Sequence, residues 1–293
     1  MKFDYNTRYR DGFALLRHTD QRVLYGLLLA ALLLTPLFAT PFLLGELTYV
    51  FILCVASLGL MALTGFTGQV SLGHAAFVAI GAYAHAYALS KGVPLLLSLP
   101  LAALVTGLAG LLVGIPAIRV SGLYLAMVTM AFAIIVEQLI GHWESVTGGF
   151  TGLAVEDPRL FGWSLGGPKA FYYLCLVVLV AVLLGLLNLL RSAIGRAFVG
   201  VRDSEAAAYS LGIHVNAVKA SAFALSAGIT GLAGEVGAQA GGMGWQVVGS
   251  DNWYGTIPAS TVYYPAKLKA AARQLALDLG IKRTAPAVDP MRL

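Results

Sequence analysis

The sequence has little charge and little cysteine. Only 11% of its 293 residues are Asp, Glu, Lys or Arg, whereas soluble domains carry about 25%. Such a chain has too little polar surface to cover a water-soluble globule. The two cysteines, Cys54 and Cys175, both lie inside apolar runs, which excludes a disulfide scaffold. The composition therefore predicts an all-α, polytopic helical membrane protein.

The chain also lacks the motifs of nucleotide-dependent or hydrolytic chemistry. No G-x-x-x-x-G-K-[ST] motif occurs, so the chain has no such loop to hold the phosphates of ATP. No convergent group of His, Asp or Glu is predicted within the apolar runs, as a membrane-embedded enzyme would require. We therefore expect no catalytic residues, no metal site and no cofactor, with any ATP bound by partner subunits.

What the chain does contain is a series of long apolar runs. A membrane-spanning helix needs about 20 apolar residues. The runs predict about seven transmembrane helices, at 23–44, 47–64, 71–89, 95–115, 122–140, 171–190 and 221–240. The predicted organisation is a cytoplasmic basic N-terminus (1–22), a transmembrane domain (23–240) with a long cytoplasmic loop at 191–220, and a tail (241–293).

The basic residues are distributed unequally between the predicted loops. Ten Lys and Arg residues in the segments up to Lys219 fall on the side of the N-terminus, and three fall on the opposite side. Because cytoplasmic loops are enriched in Lys and Arg, this predicts a cytoplasmic N-terminus. The formal charge of +5 then follows from membrane topology, and no nucleic-acid partner is expected.

The cytoplasmic loop 191–220 carries a candidate helix. Asp203 or Ser204 can cap its start, alanines favour its interior, and Gly212 can end it in a left-handed turn. A helix of roughly eight residues is too short to persist alone in water, so it needs a surface to pack against. That surface is either a partner protein or the chain's own helix bundle.

Three titratable residues are candidates for a solute or proton pathway. His74 and His85 are separated by about three helical turns and so share a face of the third predicted span. An interhelical hydrogen bond is the alternative role for His74. Glu137 is the only carboxylate that we assign to a span, near its external end, where contact with interfacial water is the alternative. In the fourth span, Gly110 and Gly114 indicate close helix packing.

Four ordered blocks resemble a known family. They are GQVSLGHAAFVAIGAYA at 68–84, VSGLYLAMVTMA at 120–131, VTGGFTGL at 146–153 and GRAFVGVRDSEAA at 195–207. These blocks are similar to those of branched-chain amino-acid ABC importer permeases of the LivM type. The resemblance implies a multi-pass subunit of the bacterial inner membrane that translocates a small-molecule substrate through the lipid bilayer. Its implied partners are a sister permease, two cytoplasmic ATPase subunits and a periplasmic substrate-binding protein.

The resemblance also assigns roles and leaves alternatives. Glu205, Ala206, Ala207 and Gly212 match the family's ATPase-coupling helix, beside the capping candidates Asp203 and Ser204. Urea and short-amide permeases look similar, and a self-contained channel or secondary transporter is a further alternative that only Glu137 supports. Residues 235–293 depart from the family pattern, as a truncated or frameshifted reading frame would make them.

Overall fold

The computed structural model describes residues 19–118, 120, 122–149, 153, 159–160, 163–164, 167–242, 261–264 and 283–286, with side chains described for most of them. These residues form helices α1 (Thr19–Phe38), α2 (Pro41–Thr67), α3 (His74–Ser90), α4 (Leu95–Ala117), α5 (Leu123–His142), α6 (Glu144–Thr147), α7 (Pro168–Arg191), α8 (Ala193–Asp203), α9 (Glu205–Ser210) and α10 (Val215–Gly242). The short strands are β1 (Arg159–Leu160), β2 (Trp163–Ser164), β3 (Thr261–Tyr264) and β4 (Arg283–Pro286).

The chain is a polytopic helical membrane protein as predicted. Six of the predicted spans each lie mainly on one helix, whereas the first, 23–44, is broken at Ala39 and Thr40 between α1 and α2. Within the described residues, five helices are long and apolar enough to cross a membrane: α2, α4, α5, α7 and α10. The count of seven is not confirmed. The apolar part of α1, Val23–Phe38, is shorter than these five, and α3 has only 17 residues.

Helix α10 lies at the centre of the bundle and packs against α2, α3 and α4. Glycines make this approach possible. A Cβ at Gly110 of α4 would lie 2.7 Å from Phe223 O, and one at Gly114 would lie 3.2 Å from the Cα of Ala220. The predicted close packing at Gly110 and Gly114 is therefore confirmed, and its partner is α10.

The apolar core surrounds this central helix. Phe77 of α3, Leu125 of α5 and Phe223 of α10 are buried in one cluster, which also includes Phe198 of α8. Burial of Phe198 connects the segment between α7 and α10 to the transmembrane core. Side chains such as Phe198 dominate core energetics because each buries roughly 150–250 Å².

The chain divides into two compact units, Met1–Gln246 and Val247–Leu293. The described residues of the second unit are strands β3 and β4, which pair in parallel with Thr261 opposite Arg283. Most of the predicted tail, 241–293, lies outside the described residues. Residues 235–242, where we expected the family pattern to end, continue α10 as helix.

Candidate functional site

Two short helices, rather than one, connect α7 to α10. The predicted helix near 204–211 is present as α9, and the cap is Ser204, whose Oγ accepts a hydrogen bond from Ala207 N at 3.2 Å. Asp203 instead ends α8, which was not predicted. We call residues 193–214 the connecting segment.

The sequence carried a signal for α8 that we missed. Ser192 caps this helix by accepting a hydrogen bond from Gly195 N at 3.4 Å. Gly195, Phe198 and Val201 are all buried and follow one another at intervals of three residues. A serine followed by buried positions at helical spacing is the pattern of a capped amphipathic helix.

Helix α9 ends at the glycine that the sequence indicated. Gly212 has φ +79°, the left-handed conformation that favours glycine. Its N–H donates to Tyr209 O, and Ile213 N–H donates to Ala208 O, each at 3.0 Å. This pair of hydrogen bonds is the Schellman arrangement, which satisfies the last carbonyls of the helix and turns the chain back toward α10.

Charged side chains link the connecting segment to two spanning helices. Lys219 of α10 forms an ion pair with Glu205 of α9, with Nζ and Oε1 2.7 Å apart. Arg202 of α8 donates from Nη1 to Gly65 O, near the end of α2, at 2.8 Å, and pairs with Asp203 at 3.2 Å. The connecting segment is thus joined to α10 and α2 through different residues.

A polar cavity of about 250 Å³ lies between the connecting segment and the bundle. Residues from the end of α2, from the start of α5, from the connecting segment and from α10 line it, including Gln69, Leu125, Arg202 and Lys219. The Gln69 side chain is buried, and its amide has no hydrogen-bond partner. Segments that the predicted topology put on one side of the membrane therefore meet at one end of the bundle.

The connecting segment exposes large apolar side chains among its charged and polar ones. Tyr209 is 76% exposed and Leu211 is 80% exposed, whereas Ala208 is buried. Ala206 and Ala207 are also exposed. We did not single out Tyr209 and Leu211 from the sequence, because apolar residues are common throughout this chain. Only their position outside the long spans distinguishes them.

His74 makes the interhelical hydrogen bond that was the alternative prediction for it. Its Nε2 lies 2.8 Å from Ser226 Oγ of α10, and the Ser226 hydroxyl donates to Gly59 O of α2 at 2.6 Å. Ser226 Oγ must therefore accept from Nε2–H. The other ring nitrogen, Nδ1, then accepts from Ser71 Oγ at 3.0 Å. His74 thus connects α3 to α10 and, through Ser226, to α2.

The three pathway candidates do not form one cluster. His85 is fully buried and accepts a hydrogen bond on Nε2 from the Gln239 amide at 2.9 Å, while its Nδ1 has no partner. Glu137 is exposed on α5. His74 lies at the opposite end of α3 from His85.

Glu137 is not the only carboxylate within a spanning helix, so that assignment was wrong. Glu46 lies in α2, and Glu235 lies in α10. Glu235 is fully buried, and neither of its side-chain oxygens has a hydrogen-bond partner. Glu235 already lies within the predicted span 221–240, so the sequence alone could have identified it. Within the described ranges, no group of three or more His, Cys, Asp or Glu side chains is placed to hold a metal ion.

Comparison with known proteins assigns the chain to a family. A family model described as "Branched-chain amino acid transport system / permease component" matches residues 42–262. The LivM high-affinity branched-chain amino acid transport system permease protein of Salmonella typhimurium is 36% identical over 216 residues, and that of Escherichia coli is 35% identical over 216 residues. Each alignment covers 64% of this chain and 50% of the relative, so the chain spans about half the length of the curated relatives it matches.

No solved structure matches the chain significantly. The family match begins at the start of α2 and continues to residue 262, and it therefore contains the connecting segment, His74 and His85. The expected end of the family pattern at Gly234 was wrong, because the match extends beyond it. The family is one of transport permease components and not of enzymes. With three quarters of its residues matched, this multi-pass membrane chain belongs to the branched-chain amino acid transport permease family.

Proposed function

We propose that this chain is a membrane subunit of an ABC importer in the bacterial inner membrane, and that it translocates branched-chain amino acids. In this proposal it works with a sister permease, two cytoplasmic ATPase subunits and a periplasmic binding protein that delivers the substrate. Family membership supports the transport role. The absence of a G-x-x-x-x-G-K-[ST] motif supports a separate source of ATP energy.

The connecting segment is the observation that carries this proposal. It presents Tyr209 and Leu211 on its outer surface, and it is joined to α2 and α10 on its inner side. An exposed apolar patch rimmed by polar residues marks a protein interaction site. We propose that an ATPase subunit docks here, on the side assigned to the cytoplasm by the distribution of Lys and Arg.

The candidate coupling residues all lie on this segment. Asp203 ends α8, Ser204 caps α9, Glu205, Ala206 and Ala207 form its first turn, and Gly212 turns the chain toward α10. In our proposal, these residues give the segment its rigid shape and Tyr209 and Leu211 supply the contact. Movement of the ATPase then displaces the segment as a body.

We also propose three residues along the translocation path. His74 is a candidate because its hydrogen bonds join three helices, so a movement of α10 must break or carry them. His85 is a candidate because its Nδ1 is buried without a partner. Glu137 is a candidate for contact with the substrate or the periplasmic binding protein, because it is exposed on α5 near the end that we predict to be external.

Uptake measurements test the transported solute. Cells that carry the complete transport system, with and without this chain, are given labelled leucine and labelled urea. We expect leucine uptake to require this chain and to require ATP. Chain-dependent uptake of urea alone would favour the urea and short-amide alternative, and uptake that persists without ATP would favour a channel or secondary transporter.

Docking of the ATPase is tested by co-purification. The double variant Tyr209→Ala/Leu211→Ala should retain much less ATPase than the wild-type chain at equal membrane abundance. The matched control is Leu24→Ala/Tyr25→Ala, which removes a similarly exposed pair from α1, far along the chain from the connecting segment. Equal loss in both double variants, or loss in neither, would contradict docking at Tyr209 and Leu211.

A further inference from the structure

We infer that Lys219 is a positioning residue for coupling, which holds α9 to α10 through Glu205 so that the two helices move together. The inference rests on the proposed function and adds to it. Glu205 then acts within the chain as the partner of Lys219, and the ATPase is contacted by other residues of the segment.

The burial of the ion pair is asymmetric. The Lys219 side chain is only 7% exposed, whereas the Glu205 side chain is 54% exposed, and their charged atoms are 2.7 Å apart. A buried ammonium is costly unless it is paired and hydrogen-bonded. Glu205 is the only ion-pair partner of Lys219 among the described residues. The buried lysine therefore requires α9 to remain where Glu205 can reach it.

Helix α9 has few other contacts that could fix its position. It has six residues, too few to be stable alone. Ala208 is its one buried residue. By contrast, α8 is held by the buried side chains of Phe198 and Val201. The ion pair with Lys219 is thus the main directional contact between α9 and a spanning helix.

A second link supports the start of α9 from the other side. Arg202 donates to Gly65 O, one of the last carbonyls of α2, which have no partner within their own helix. Gly68 permits this approach, because a Cβ there would lie 2.9 Å from Arg202 Cγ. Asp203 Oδ1 also lies 3.2 Å from Nη2 of the Arg202 guanidinium group. Arg202 therefore fixes the junction of α8 and α9 against α2.

A cavity beside these two links means that they, and not packed side chains, join this part of the connecting segment to the bundle. Gln69, Arg202 and Lys219 all line its volume of about 250 Å³, and the buried Gln69 amide makes no hydrogen bond. Close packing cannot transmit displacement across such a space, because atoms that are not in contact exert no steric force on each other. Besides the turn at Gly212, which joins the two helices along the chain, a push on α9 reaches α10 through the ion pair with Lys219.

Exchange of the two charges tests the inference. The variants are Glu205→Lys, Lys219→Glu, the double exchange Glu205→Lys/Lys219→Glu, and the conservative Lys219→Arg. Lys169→Glu is the matched control, because Lys169 is an exposed residue at the start of α7, outside the connecting segment. All are compared in the full transport complex at equal membrane abundance, for leucine uptake, ATPase co-purification and ATP hydrolysis.

We expect each single reversal to lower uptake about tenfold while the ATPase still co-purifies and still hydrolyses ATP, since contacting residues are coupled by roughly 0.5–3 kcal/mol. The double exchange and Lys219→Arg should recover most of the uptake, and Lys169→Glu should transport like the wild type. Direct binding of Glu205 to the ATPase would not produce recovery in the double exchange. Retained ATPase co-purification and ATP hydrolysis in the single variants distinguish lost coupling from lost folding.

Three results would overturn the inference: wild-type uptake in both single variants, no recovery in the double exchange, or an equal loss in Lys169→Glu. If Lys219→Glu does not reach the membrane, Glu205→Gln tests the same link from its exposed side, and unchanged uptake there overturns the inference. Failure of the proposed function looks different, because the ATPase would then not co-purify even with the wild-type chain.

Discussion

The contact between α4 and α10 allows a quantitative test of the fold. Gly110→Ala adds one methyl group where the helices are closest: its Cβ would lie 2.7 Å from Phe223 O, about 0.7 Å short of the 3.4 Å at which ordinary van der Waals contact begins, and would also overlap Ala227 Cβ. Neither obstacle is a flexible side-chain end. The two helices must therefore separate along a contact that also includes Gly114.

Overpacking of this kind costs about 1–3 kcal/mol. The gain in helix propensity from glycine to alanine, about 1 kcal/mol, offsets part of this cost. We therefore expect a net loss of up to about 2 kcal/mol. For a chain of this size, that corresponds to a fall in melting temperature on the order of 2–8 °C.

The assay uses the detergent-solubilised chain fused to a fluorescent reporter. It measures the temperature at which the chain loses its monodisperse peak in size-exclusion chromatography. Gly185→Ala in α7 is the matched control, because a Cβ there meets nothing within 4 Å. The control should be as stable as the wild type or more stable. A Gly110→Ala chain with the stability of Gly185→Ala would refute the close approach of α4 and α10.

Three further predictions concern topology, coupling and the hydrogen-bonded links. A reporter fused after Gly212 should read cytoplasmic and one near Pro158 external, and a cytoplasmic reading at Pro158 would contradict the orientation. Gly212→Val places a β-branched residue at φ +79°, so it should cost about 1–3 kcal/mol in local strain and lower uptake. Gly200→Ala should not, because its Cβ would meet only Ile213 Cδ1, at an ordinary contact distance of 3.9 Å, and Gly200 has no positive φ; equal uptake in both would count against a structural role for the turn. His74→Ala and Ser226→Ala should each lower the melting temperature. The double variant should lower it by less than the sum of the two, because one hydrogen bond is shared although each residue has a further bond of its own; fully additive losses would show that the residues act separately.

Local patterns were sufficient to predict the helices and the turn. Apolar runs need no knowledge of their neighbours, since every spanning segment must satisfy its own backbone hydrogen bonds in lipid. The left-handed turn at Gly212 and the cap at Ser204 were also predictable, because each depends on residues within one helical turn.

Partners far apart in the sequence could not be predicted. Lys219 was counted only as a topological charge, yet it is buried against Glu205, and Arg202 reaches Gly65 from 137 residues away. Glu235 falls within the predicted span 221–240 but was not singled out, and it lies fully buried within α10. Sequence by itself determined where helices form and where they stop, because those are local balances of hydropathy, capping and backbone freedom. Which charged and polar groups meet was decided only by the tertiary structure, because the packing of α10 among α2, α3 and α4 sets those distances.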